Sequence, residues 1–242
     1  LLAAGHWFFS LCYSRGYDYF LWLYNAWLAG GRVWAGDWPN WSPYSASGHP
    51  FFKMAGVSDA LVFSFFTELA GLEFGTRIYV CLLYSIAGTG IYALIRSTGG
   101  SGAGAIVGTT VFAFSWFLTY TAHYQTYLNN FLSYALLPWG AILFIRTVAD
   151  GSRMALLGAA GVVFVSITSN AQVSIRLLLF CLPFAFVETV LGRGGSWRRW
   201  LRRSAAIVLL ALCWSAFLVY PALALRTEVL HLLRENPAVL LW

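Results

Sequence analysis

The strongest constraint on this chain is a series of apolar runs, each close to the length of a membrane-crossing helix, divided by short connections. A helix that crosses the hydrocarbon of a bilayer needs about 20 mainly apolar residues. Residues 76–96, 102–121, 130–147, 154–169, 174–191 and 204–221 are the candidates, and residues 1–13 read as the end of an earlier span. Only 10% of the 242 residues are charged and 60% are hydrophobic, against about 25% charged in soluble domains. A water-soluble fold of this size would lack the polar surface to cover itself. The predicted fold class is therefore all-α: a polytopic transmembrane helix bundle of about seven spans, forming a single domain over residues 1–242. Leu1 and Trp242 both lie within apolar stretches, so the chain is expected to be a fragment of a longer one.

Basic residues orient such a bundle, because short cytoplasmic connections carry an excess of Arg and Lys. With the first span running outward, three connections face the cytoplasm. They hold Arg96, Arg146, Arg153, Arg193, Arg198, Arg199, Arg202 and Arg203, accompanied only by Asp150 and Glu188. The other seven basic residues are matched by seven acidic ones on the opposite side. The whole net charge of +6 then lies on one face. This pattern accounts for the basic composition without a nucleic-acid partner. It predicts a multi-pass protein of the plasma or inner membrane. The run from Gly192 to Arg203 reads as a topology anchor with interfacial Trp, or as a binder of anionic membrane lipid. Glu188 is expected to pair with this cluster.

Cys12, Cys81, Cys181 and Cys213 each stand alone in apolar sequence, which argues against a disulfide framework or zinc site. Gly100, Gly104 and Gly108, and Gly158 and Gly161, read as small-residue packing faces. No P-loop, dinucleotide fingerprint, HExxH or GxSxG motif is found.

Residues 14–75 form one long external loop under this topology. Its apolar part, about 54–72, is interrupted by Asp59 and Glu68 and is expected to form an in-plane or re-entrant helix. Six of the twelve Trp lie at or before Trp41. The loop also holds Arg15, Asp18, Arg32, Asp37, His49 and Lys53. Aromatics here serve as interface anchors, or they stack on sugar rings while carboxylates bind hydroxyls. A carboxylate at a bilayer edge is costly unless paired or solvated. Asp18 is therefore read as a general base, as a ligand of a divalent ion, or as a solvated acid paired with Arg15. On the same outward side lie His123 and Gln125 after the third span, and Gln172 and Arg176 between the fifth and sixth. Arg176 can clamp a phosphate through two parallel bonds or snorkel to the interface. His123 reads as a catalytic or as a hydrogen-bonded structural histidine.

Trp38-Pro39-Asn40-Trp41-Ser42-Pro43-Tyr44 followed by Gly48-His49-Pro50-Phe51-Phe52 resembles the first external loop of the bacterial and archaeal membrane proteins related to YfhO. Gly88-Thr89-Gly90-Ile91-Tyr92 and Leu136-Leu137-Pro138-Trp139 are similar to segments of the same proteins. The resemblance covers roughly residues 14–180. It implies the GT-C glycosyltransferase superfamily, with Asp18 at its catalytic acid/base position. It further implies a lipid-linked sugar donor, a polyprenyl phosphate; the residues read here as candidates to bind it are Arg15, Asp37, Trp38, Trp41, His49, Lys53, His123, Gln125, Gln172 and Arg176. Many members carry two adjacent acidic residues in this loop. Here Tyr17-Asp18-Tyr19 supplies one, so a divalent cation such as Mg or Mn at Asp18 stays open. The alternatives are a transporter or flippase, and a non-catalytic membrane scaffold.

Overall fold

The computed structural model describes residues 41–42, 49–50, 57–115, 128–169 and 171–235. Two two-residue strands, β1 (Trp41–Ser42) and β2 (His49–Pro50), pair antiparallel, Trp41 opposite Pro50 and Ser42 opposite His49. The rest of the regular structure is helical: α1 (Val57–Ala70), α2 (Leu72–Ser97), α3 (Gly102–Ala113), α4 (Leu128–Asp150), α5 (Arg153–Ser169), α6 (Ala171–Phe186) and α7 (Trp197–Glu235). A π turn, Val187–Leu191, continues α6. Among the described residues, three stretches are long and apolar enough to cross a membrane: Leu72–Ser97, Phe131–Asp150 and Ser174–Leu191. The helices α3 and α5 are apolar but shorter. The span expected at 1–13 lies outside the described residues.

Contacts between side chains fix the direction of each helix. Tyr84 of α2 meets Phe131 of α4 edge to face, and further along both helices Trp139 lies against Gly90 and donates its indole N–H to the Ile86 carbonyl at 2.9 Å. The helices α2 and α4 therefore run parallel. So do α4 and α6, since Arg176 meets Tyr134 and Cys181 meets the Leu137 carbonyl. Leu143 faces Gly158 and Val162 faces Gly140, which makes α5 antiparallel to α4. Arg203 reaches the end of α4 while Trp214 packs on Phe164, so α7 runs with α5. The connections expected on the cytoplasmic side, with their arginines, thus gather at one end of the bundle.

The core divides along α4. One cluster joins α1, α2 and the start of α4 around Phe63, Tyr79, Leu83 and Phe131. The other joins α4, α5, α6 and α7 around Phe144, Val163, Leu177 and Ile207. The exterior is apolar as well: Ile106, Val107, Val111, Leu179 and Leu209 are each more than 60% exposed. Water solvates such a surface poorly, whereas lipid does not penalise it.

Gly71, at φ +77, joins α1 directly to α2, a backbone angle that costs glycine nothing. The two helices then fold back on each other. A Cβ at Gly75 would lie 2.5 Å from the Phe66 carbonyl oxygen, so only glycine allows this approach. At 14 residues, or about 21 Å, α1 is too short to span. The interrupted apolar stretch is thus helical, as expected, but packed: α1 buries Asp59, Ala60, Phe63 and Ser64 and leaves Glu68 exposed. Among the glycine faces, Gly108 lies against Ile95 and Gly158 against Leu143. Gly100 departs from expectation. It precedes α3, in the turn where its N–H donates to the Ile95 carbonyl. Gly104 is exposed beside the capping Ser101 rather than packed on a neighbouring helix.

Gly75→Ala should lower the thermal midpoint of the detergent-solubilised protein, at a cost of about 1–3 kcal/mol, because backbone must move. Gly102→Ala, with open space around the added carbon, should leave the midpoint unchanged or raise it. Equal midpoints for the two variants would contradict the close α1–α2 packing.

Candidate functional site

Most of the residues that the sequence nominates lie outside the described residues: Asp18, Arg15, Asp37, Trp38, Lys53, His123 and Gln125. Trp41 and His49 sit on the paired strands, so the two halves of the loop motif are held side by side by backbone hydrogen bonding. Gln172 lies in the first turn of α6. Arg176, one turn on, donates from Nη1 to the Tyr134 hydroxyl at 2.8 Å, which ties α6 to the start of α4.

The other two motif segments also meet. A Cβ on Gly90 would lie 2.8 Å from Trp139 Nε1 and 3.1 Å from Pro138 Cβ. The bare backbone at Gly90 is what lets the Trp139 indole reach the Ile86 carbonyl. A buried indole N–H without an acceptor would be costly.

The chemistry concentrates at the end of the bundle opposite the arginine connections. Asp59, at the start of α1, is fully buried. Its Oδ1 accepts from the Tyr79 hydroxyl at 3.1 Å and from the Leu132 backbone N–H at 3.2 Å. Its Oδ2 has no hydrogen bond of proper geometry among the described residues, and neither do the buried hydroxyls of Ser133, Ser166 and Ser169. Next to Asp59, Ser58 is hydrogen-bonded to Thr168, whose own hydroxyl donates to the Phe164 carbonyl at 2.9 Å. One carboxyl, hydroxyls from α1, α2 and α5 and a backbone N–H of α4 therefore meet where α1 docks on these helices.

Burial raises the Asp59 carboxyl to about 8, and the nearby Ser169 hydroxyl, Tyr79 and the Leu132 N–H lower it only in part. An ionised carboxylate without a counter-charge is expensive in such a place. A neutral carboxyl is not, since its Oδ2–H can donate to the Ser169 hydroxyl while Oδ1 keeps both its donors. From the sequence Asp59 reads as an interruption of an apolar stretch. The signal that could have singled it out is its type, because an ionisable group in apolar sequence of a membrane protein is a functional candidate from the outset. Among the described residues no group of three or more His, Cys, Asp and Glu comes together to hold a metal ion. Glu188 pairs with Arg193 at 3.2 Å, as expected. Cys81, Cys181 and Cys213 are in no disulfide.

Compared with protein-family models, with curated proteins and with solved structures, the chain matches none.

The folded state holds the Asp59 proton more tightly than the unfolded chain, whose ordinary carboxyl value is 3.8. The stability that this proton contributes is complete below pH 4 and declines as pH rises towards about 8. Thermal midpoints measured in detergent from pH 5 to 8 should fall for the parent chain. They should stay flatter for Asp59→Asn, which keeps the shape and cannot ionise. An equally steep fall in the variant would remove Asp59 as the cause.

Proposed function

We propose that the chain is the multi-pass membrane part of a GT-C-type glycosyltransferase. In this reading it crosses the plasma or inner membrane about seven times. It takes a sugar from a polyprenyl-phosphate carrier and passes it to a lipid, polymer or protein acceptor on the face opposite the arginine connections. The observation that carries the reading is the meeting of its motif segments. The two halves of the loop motif, close together in the chain, pair as strands, and Gly90 packs on Pro138 and Trp139, which lie far from it in sequence.

The chemistry is displacement at the anomeric carbon. Asp18 takes the proton of the attacking acceptor hydroxyl, and the polyprenyl phosphate leaves. Negative charge grows on that phosphate, so Arg15, Lys53 and Arg176 are the groups suited to stabilise it. Asp37, Trp38, Trp41, His49, His123, Gln125 and Gln172 are the candidates for holding the sugar. A divalent cation (Mg or Mn) at Asp18 would supply Lewis-acid assistance to the leaving phosphate. Asp59 has another role: its carboxyl is buried and engaged, so it docks α1 on α2 and α4.

Asp18→Asn should abolish sugar transfer in a membrane assay, by about 100-fold or more, while expression and thermal midpoint are kept. Transfer at the parental rate would take Asp18 out of the mechanism. Single cysteines at Asp37 and Arg198 should react with a membrane-impermeant thiol reagent from opposite faces of oriented vesicles. Labelling of both from one face would end the proposal, because the loop and the arginine connections would share a side.

A further inference from the structure

A cavity of about 160 Å³ opens at the arginine end of the bundle. Val148 and Ala149 at the end of α4, Thr189 of the π turn, and Arg193, Ser196 and Arg199 line it. We infer that this cavity binds a phosphate group, carried by an anionic lipid of the adjacent leaflet or free in solution.

Its walls are built rather than incidental. A π turn inserts an extra residue into a helix and is frequent at functional sites. Here the Gly192 N–H donates to the Val187 carbonyl at 2.8 Å and the Gly195 N–H to the Thr189 carbonyl at 3.0 Å. A Cβ on Gly195 would stand 2.6 Å from the Thr189 oxygen, and Gly194 takes φ +65. The glycines of the connection therefore press it against the π turn, and Arg193 and Ser196 stand at the rim.

The charge is set for an anion. Arg203 donates from Nη1 to the Thr147 carbonyl at 2.9 Å and to the Val148 carbonyl at 2.7 Å, which offsets the negative end of α4 beside the cavity. Arg193 is balanced by Glu188. Arg198 stacks on Trp197. Arg199 is left as a lining guanidinium with no side-chain partner among the described residues. No acidic residue lines the cavity. Its volume is below the ~300–1,000 Å³ of clefts that enclose a drug-sized ligand. It suits a group of a few atoms whose remainder lies outside, and a guanidinium fork matches phosphate oxygens best. Leu191, Trp197 and Leu201, exposed at the same end, offer apolar surface to the rest of a lipid.

The test uses the full chain in a zwitterionic detergent with phosphatidylcholine. Phosphatidylglycerol, more phosphatidylcholine, or inorganic phosphate is added, and the thermal midpoint and the bound lipid by native mass spectrometry are read. Phosphatidylglycerol should raise the midpoint and stay bound where added phosphatidylcholine does neither. Arg199→Ala should weaken that response roughly tenfold. Arg199→Lys should restore part of it, and Arg202→Ala, outside the lining, should leave it intact. A response to inorganic phosphate alone that needs Arg199 would also support the site and identify free phosphate as its ligand. The inference is overturned if phosphatidylcholine equals phosphatidylglycerol, if neither phosphate source has an effect, or if Arg199→Ala and Arg202→Ala weaken the response alike. Diffuse attraction between charges would produce that last pattern.

Discussion

The packing of α4 is what the other helices depend on. It lies between α2 and α5, shares the Arg176–Tyr134 bond with α6, and receives the Arg203 side chain of α7 on its last carbonyls. Both core clusters draw residues from it, Phe131 and Ala135 in one, Phe144 and Ile145 in the other. In hydrocarbon, helices gain little from burying apolar surface against one another, because lipid is equally apolar. Close fit and internal hydrogen bonds must supply the association. Gly90 under Trp139, Gly140 beside Val162, and Gly158 under Leu143 are the places where this fit is made.

The end opposite the arginines uses a different means. There α1 is short and docks through polar groups that the surrounding helices shield from solvent. Asp59 gives one oxygen to Tyr79 and to the Leu132 N–H. These bonds bring together α1, α2 and α4 at one atom, and the Ser58–Thr168 bond adds α5. Hydrogen bonds of this kind have direction, so they fix where α1 sits as well as how strongly it is held. A purely apolar contact at the same place would permit sliding along α2. The proton on Asp59 is the condition for the arrangement, since without it the same burial becomes a cost.

Much of the helical pattern could be read from the sequence, because spanning length and charge-free runs are local properties. The runs at 130–147, 154–169 and 174–191 recur as α4, α5 and α6 with its π turn, a few residues longer or shorter at each end. Alternation of direction followed from the arginine bias, and the contacts along α2, α4, α5, α6 and α7 agree with it. What could not be read depends on partners distant in sequence. Asp59 and Glu68 look alike as interruptions of an apolar stretch, yet one is enclosed by Tyr79, Leu132 and Ser169 and the other faces outward. Gly100 looked like part of a helix face, but the turn after α2 uses it first. Of the nominated site, Arg176 could be placed with a partner, Trp41 and His49 by their pairing, and Gln172 by its helix.

The two ends of the bundle follow from opposite solutions to one electrostatic problem. A charged group near hydrocarbon must be neutralised, paired or solvated. At the α1 end the group is an acid, and its burial favours the neutral form. At the other end the groups are arginines, which cannot be neutralised in the pH range of a cell, so each needs a partner or water. Arg193 has Glu188, Arg203 has two carbonyls, and Arg198 has an aromatic face. Arg199 faces a cavity instead. A fixed cation that the fold leaves unmatched beside a shaped space is a place where an anion from outside the chain would find its counter-charge.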